Sequence, residues 1–201
     1  MKFENLILTY HLMWGNKATE IVKRWFRHNT NARKNWVVDY DFESRFPKLR
    51  EIHNAYPGIK TCTVIINPYA RALIQYEWAK ENKKSPNSLV PILPADIKVE
   101  TFEAFLLSIL NKKSYTLLGS SQSSFVTYKE NDKMISTDLI LRSEFILDEF
   151  YKVQDFVKSY VPIVMTKDEN IYAYREYYDL TTKELVSTIF KEDLENFNYS
   201  F

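Results

Sequence analysis

The chain has 201 residues, of which 45% are hydrophobic, with 27 lysines and arginines against 26 aspartates and glutamates. That length can bury one sizeable core but is short for two full domains, so a single domain over residues 1–201 is expected. A formal charge of +1 provides no long-range field to draw the protein onto nucleic acid or an acidic membrane, and neither is expected as a partner.

Residues 5–11 read as a buried strand, and the apolar run there is too short for a signal peptide. No stretch approaches the roughly 18–20 apolar residues of a membrane-spanning helix, so a cytoplasmic location is expected. A helical pattern runs over residues 16–28 through Ile21, Val22, Trp25 and Phe26. A short strand at 36–38 and a helix over 42–56 follow, the helix stopping at Pro57-Gly58. Residues 60–66 form the next strand, apolar after its first positions, as in a sheet covered on both faces. The lone Cys62 lies inside it and reads as a small core residue. Asn67-Pro68 ends the strand, and Pro68 suits the first position of a helix reaching about Asn82.

Residues 83–98 hold Pro86, Pro91 and Pro94 without periodicity and read as a surface excursion suited to a partner. A helix is expected over 101–110, a serine-rich loop over 119–124, a strand over 135–141, and helices over 144–160 and 181–197. Phe190, Leu194 and Phe197 give the last helix a core-facing stripe. Strands alternating with helices predict an α/β fold, a mainly parallel sheet flanked by helices. Ligands of such sheets sit beyond the carboxyl ends of the strands, which directs attention to residues 11–17 and 66–71.

Several segments, in order along the chain, resemble the sulfotransferase family, including the carbohydrate sulfotransferases and short relatives in bacteria and their phages. Val64-Ile65-Ile66-Asn67-Pro68-Tyr69-Ala70-Arg71-Ala72-Leu73-Ile74-Gln75-Tyr76 is similar to the family's Arg-Asn-Pro-Tyr-Asp-Arg-Leu-Val-Ser-Ala-Tyr element, matching at Asn67, Pro68, Tyr69, Arg71 and Tyr76. Thr101-Phe102-Glu103-Ala104-Phe105 is similar to its Phe-Glu-Glu-Phe helix start. Asp138-Leu139-Ile140-Leu141-Arg142-Ser143-Glu144-Phe145 is similar to its Arg-Phe-Glu-Asn-Leu strand end. Tyr174-Arg175-Glu176-Tyr177-Tyr178-Asp179, followed by Leu185, Val186, Ile189, Glu192, Asp193, Phe197 and Tyr199, resembles its terminal helix. The resemblance implies a P-loop-like sulfotransferase fold and, in an active member, sulfuryl transfer from 3′-phosphoadenosine 5′-phosphosulfate (PAPS) to a hydroxyl or amine.

A donor with several negative charges needs cationic side chains and free N–H groups at a helix start. The family supplies them first with a loop resembling Lys-Thr-Ala-Gly-Thr-Ser. Aligned without a gap from His11, this chain reads His11-Leu12-Met13-Trp14-Gly15-Asn16-Lys17-Ala18-Thr19. Trp14 then stands where the family has its catalytic lysine, and Lys17 where it has glycine. A side chain at a position that needs glycine crowds the oxygens it would bind, although a lysine stem is long enough to reach a displaced phosphosulfate. The family's 3′-phosphate contacts, an arginine and a serine, fall on Ile66 and Ile74, which donate no hydrogen bond. Each lost charge-assisted contact costs roughly 1.5–3 kcal/mol, so two weaken donor binding by about two to four orders of magnitude.

The resemblance therefore implies a catalytically degenerate sulfotransferase-like domain without a bound cofactor. It would act as a structural or binding module with protein partners, a homo-oligomer or a larger assembly such as a phage virion. The alternative is an active PAPS-dependent enzyme, with His11 or Lys17 as catalytic candidates and Lys17, Ala18, Thr19, Asn67 and Arg71 on the donor, helped by loop residues between Ser120 and Ser124. A third reading is a different small anion held near Trp14, Asn67 and Arg71. No metal site is expected, because His11, His28 and His53 are isolated from one another and from other ligand residues.

Overall fold

The computed structural model describes residues 7–10, 21–22, 24–25, 48–84, 96–111, 118–162 and 169–201. It divides into two compact units, Met1–Ile66 with Ser124–Asp168 and Asn67–Ser123 with Glu169–Phe201.

The first unit holds a three-stranded sheet in the order β1 (Ile7–Tyr10), β2 (Lys60–Ile65), β5 (Leu139–Arg142). Both pairings are parallel, with Ile7 opposite Lys60 and Cys62 opposite Leu139. Strands paired this way need crossover connections between them, and helix α1 (Leu49–Ala55) lies in the stretch between β1 and β2. The expected α/β class with a parallel sheet is the one observed. Every residue of β2 after Lys60 is buried, the pattern of a strand covered on both faces. Cys62 and Val64 join Val22, Trp25, Leu141, Ile146, Phe150 and Val153 in a core cluster. The Trp25 ring meets Phe150 edge-on at 5.1 Å, and its indole N–H donates to the Val161 carbonyl at 2.9 Å, so the indole is packed without leaving its donor unmet. Burial, reinforced by Asp138, pushes the Cys62 thiol up to about 12. It is therefore an inert core thiol at neutral pH.

The expected strand over 135–141 is two strands. A hairpin of β3 (Thr127–Glu130) and β4 (Lys133–Ser136) precedes β5, and Thr137-Asp138 separates β4 from β5. Thr137 donates its N–H to the Val126 carbonyl at 2.9 Å. The Asp138 carboxylate takes the Thr61 N–H at 2.8 Å and hydroxyl at 3.0 Å. These bonds redirect the chain from one sheet to the other, and period-two alternation is blind to such a change because both pieces are extended. The hairpin turns through Asn131 and Asp132, both left-handed at φ 47° and 62°, as a tight primed turn requires. The helix expected over 144–160 starts as a 3-10 turn at Ser143–Phe145 and continues as α5 (Ile146–Val157), ending at left-handed Lys158. Immediately before β3, Ser123–Val126 forms the short helix α4, so the serine-rich loop is helical from Ser123.

The second unit is helical: α2 (Pro68–Lys84), α3 (Phe102–Asn111), a 3-10 segment Glu169–Tyr177, α6 (Leu180–Ile189) and α7 (Lys191–Asn196). Thr101 starts α3 by accepting the Ala104 N–H at 3.1 Å. Asp179 starts α6 with a reciprocal cap, its carboxylate taking the Thr182 N–H at 2.8 Å and its own N–H donating to the Thr182 hydroxyl at 3.0 Å. The single helix expected over 181–197 breaks at Phe190, whose φ −110° and ψ 27° lie outside helical values. Phe190 is fully buried, so packing holds it there against the helical periodicity. In the expected excursion over 83–98, Lys83 and Lys84 end α2, Ile97 is buried, and the Lys83 ammonium donates to the Ile97 carbonyl at 3.1 Å. Residues 85–95 lie outside the described residues. No helix among the described residues is long and apolar enough to cross a membrane.

Candidate functional site

The strand-to-helix junction at residues 66–71 is the part of the expected site that the structure describes. Pro68 opens α2, where its missing N–H is no loss. Asn67 caps the helix, its side-chain oxygen taking the Tyr69 N–H at 3.0 Å and its carbonyl the Arg71 N–H at 2.9 Å. The Asn67 amide donates to the Tyr174 hydroxyl at 3.3 Å and the Ser200 carbonyl at 3.2 Å. Both ends of this side chain are thus held by the protein. Ile66 is buried and Ile74 half-buried.

Arg71 points inward from the first turns of α2 and is among the largest fully buried side chains. Its Nη1 donates to the Ser120 carbonyl at 2.6 Å and meets Asp193 Oδ2 at 3.4 Å. The guanidinium carbon lies 5.1 Å from the centre of the Phe190 ring. Burial pulls the guanidinium down to about 10, against the pull of the Asp193 charge, so it remains charged at neutral pH.

Asp193 is the hub of this cluster, although no site role is expected for it from the sequence. Its two oxygens also accept from the Ser121 hydroxyl at 2.8 Å, the Gln122 N–H at 2.8 Å and the Ser123 N–H at 2.7 Å. A carboxylate on the face shared with Phe190 and Phe197 was the available signal, because an acid on a core-facing stripe must find partners. Its partners lie about seventy residues earlier in the chain, beyond the reach of local pattern. The serine-rich loop, which has no base nearby in sequence, is held here by a carboxylate from α7.

Next to Asn67, the aromatic residues gather. Tyr69 stacks parallel to Tyr174 at 6.4 Å and meets Tyr178 and Phe201 edge-on at 5.6 and 4.9 Å. The Tyr178 hydroxyl donates to the Tyr69 carbonyl at 2.8 Å. Burial and the neighbouring Tyr69 and Tyr174 raise Tyr178 well above the ordinary phenol range, so it stays neutral.

His11, Lys17, Ala18 and Thr19, together with Trp14 and His28, lie outside the described residues. Of the expected donor residues, Asn67 caps α2 and Arg71 lies in its first turn, and each is engaged by the protein. His53, in α1, shares a 2.9 Å hydrogen bond with the Tyr128 hydroxyl of β3. Among the described residues no group of three or more His, Cys, Asp or Glu side chains could hold a metal ion.

No protein-family model matches the chain, and no curated protein matches it. Among solved structures, it is similar to the mouse sulfotransferase SULT7A1 complexed with PAP, at 10% sequence identity and a TM-score of 0.48, over 98% of this chain and 86% of that one.

Proposed function

We propose that this chain is a catalytically degenerate sulfotransferase-like domain that serves as a structural or binding module, working through protein partners in an oligomer or a larger assembly such as a phage virion. The ordered sequence resemblance supports the family side of this reading. The burial and pairing of Arg71 carry the degenerate side.

In the resemblance, Arg71 is the cation left at the start of α2 once the 3′-phosphate positions have become Ile66 and Ile74. Arg71 faces Asp193 and the Ser120 carbonyl instead. To turn toward a nucleotide phosphate it would have to leave a buried carboxylate unpaired, which costs about 3–5 kcal/mol. The described residues at these positions therefore do not fit a 3′-phosphate. The N–H groups of Gln122 and Ser123, in the loop that the alternative reading places near the donor, are bonded to Asp193 as well.

Isothermal titration of the whole chain with 3′-phosphoadenosine 5′-phosphate tests the reading. The expected result is no saturable heat in the micromolar range. Micromolar binding overturns it in favour of a PAPS-dependent enzyme, which further requires donor-dependent labelling of an acceptor that Lys17→Ala abolishes.

A further inference from the structure

Helix α5 buries Ile146, Phe150 and Val153 and leaves its other side in water. Leu147 is 46% exposed and Tyr151, one turn on, 56% exposed, so the two share one stripe. Asp155 continues the stripe, and the Tyr160 hydroxyl donates to its carboxylate at 3.0 Å, which ties a second exposed ring to the same face. The chain beyond Lys158 is held against the helix end, where the Val161 carbonyl accepts from the Gln154 amide at 2.8 Å and the Val161 side chain stays exposed. We propose that this stripe is the surface on which two copies of the chain pair, with their α5 helices antiparallel.

Charge selects the second copy and its direction. Asp148 in the first turn of α5 and Lys158 at its C-terminal cap are both exposed, and neither side chain has an ion-pair partner among the described residues. The stripe therefore carries an acid at one end and a cation at the other. A parallel copy sets like charges against each other, whereas a reversed copy sets Asp148 beside Lys158 of the second copy on both sides of a two-fold axis. The same register, with Asp155 opposite Tyr151, brings the Tyr151 ring to Tyr160 of the second copy and Leu147 to its Val161, again twice. Apolar side chains at the centre with charges at the rim are the anatomy of a protein interface, and apolar groups gathered on one exposed face mark such a surface. One helix and the turn after it make a small interface, so a dimer in the micromolar range is expected. The inference rests on the reading of the chain as a module that works through protein partners, and it names the surface.

Sedimentation velocity of the full chain tests the proposal. Wild type is expected to pass from monomer to dimer as its concentration rises. Asp148→Lys or Lys158→Asp alone should weaken the dimer by about tenfold, because each reversal acts on both sides of the axis. Aspartate tolerates the left-handed conformation that Lys158 adopts. A one-to-one mixture of the two variants should recover the dimer, since the two reversed positions then face each other and so do the two native ones. A mixture no more dimeric than its components overturns the proposal, as does a wild-type chain that stays monomeric at every concentration. If a variant does not fold, dilution of wild type followed by NMR decides: amide signals of residues 147–161 should move with concentration, and movement confined to other residues overturns the proposal. A dimer indifferent to both reversals strikes out this surface and leaves the oligomer reading standing. Failure of the degenerate-donor reading shows separately, in the nucleotide titration.

Discussion

Arg71 and Asp193 form an ion pair at 3.4 Å with both side chains almost wholly withdrawn from water. The pair joins the start of α2 to α7 and, through the Asp193 oxygens, holds the loop at Ser121–Ser123. A buried ion pair contributes little net stability over a well-packed apolar pair, but removal of one partner leaves the other charge stranded.

Asp193→Ala should therefore lower unfolding stability by about 3–5 kcal/mol, read from urea denaturation. Arg71→Met with Asp193→Leu should recover part of that loss. Recovery stays incomplete because the Gln122 and Ser123 N–H groups lose their acceptor, at about 1–3 kcal/mol for each buried group left unmet. A double variant as stable as wild type would show that the loop does not depend on the carboxylate.

Gly119 has φ +80°, and a Cβ there would collide with the Ile109 side chain. Gly119→Ala is expected to cost about 1–3 kcal/mol from the left-handed backbone and the overpacking together. Thermal melts followed by circular dichroism measure it, and Ile109→Ala added to the variant should relieve the steric share only.

The β3–β4 turn makes an opposite pair of forecasts at one residue. Asp132 has φ 62°, so Asp132→Gly should be neutral or slightly stabilising, because Asn-Gly is favoured in this turn. Its exposed pair with Lys129 is worth little. Asp132→Val should cost about 1–2 kcal/mol for a β-branched residue held left-handed. Equal stability of the two variants would show that the turn rearranges.

Asp179 supplies a pH dependence. Hydrogen bonds from the Thr182 N–H and hydroxyl hold its carboxyl below the ordinary 3.8. A carboxylate lowered by folding contributes stability that is present above its unfolded value and lost as pH falls through the folded one. Wild type should exceed Asp179→Ala in melting temperature by a constant margin above about pH 5. That margin should shrink as the pH drops below 3.8. A margin that widened toward acid would reverse the sign of the assigned shift.

The elements marked by local chemistry were legible in the chain. Pro68 opens α2 where expected, because a proline after a strand-ending Asn suits only a first helical turn. The apolar run at β2 predicts a doubly covered strand and yields one. The breaks were not legible. Residues 135–141 alternate throughout, yet Asp138 fastens to Thr61, 77 residues away, and divides them. Phe190 keeps the helical stripe in sequence and interrupts the helix in space.

Order along the chain and side-chain type alone were enough for the parallel α/β class and for the strand-to-helix junction at Asn67 and Pro68. Where Arg71 turns its charge was decided by the tertiary structure. A guanidinium on the second turn of a helix can face water, a ligand or a buried acid with no change in local pattern. The choice rests on Asp193, brought to it from 122 residues away, because a carboxylate sealed from solvent needs a cation and hydrogen-bond donors on every side.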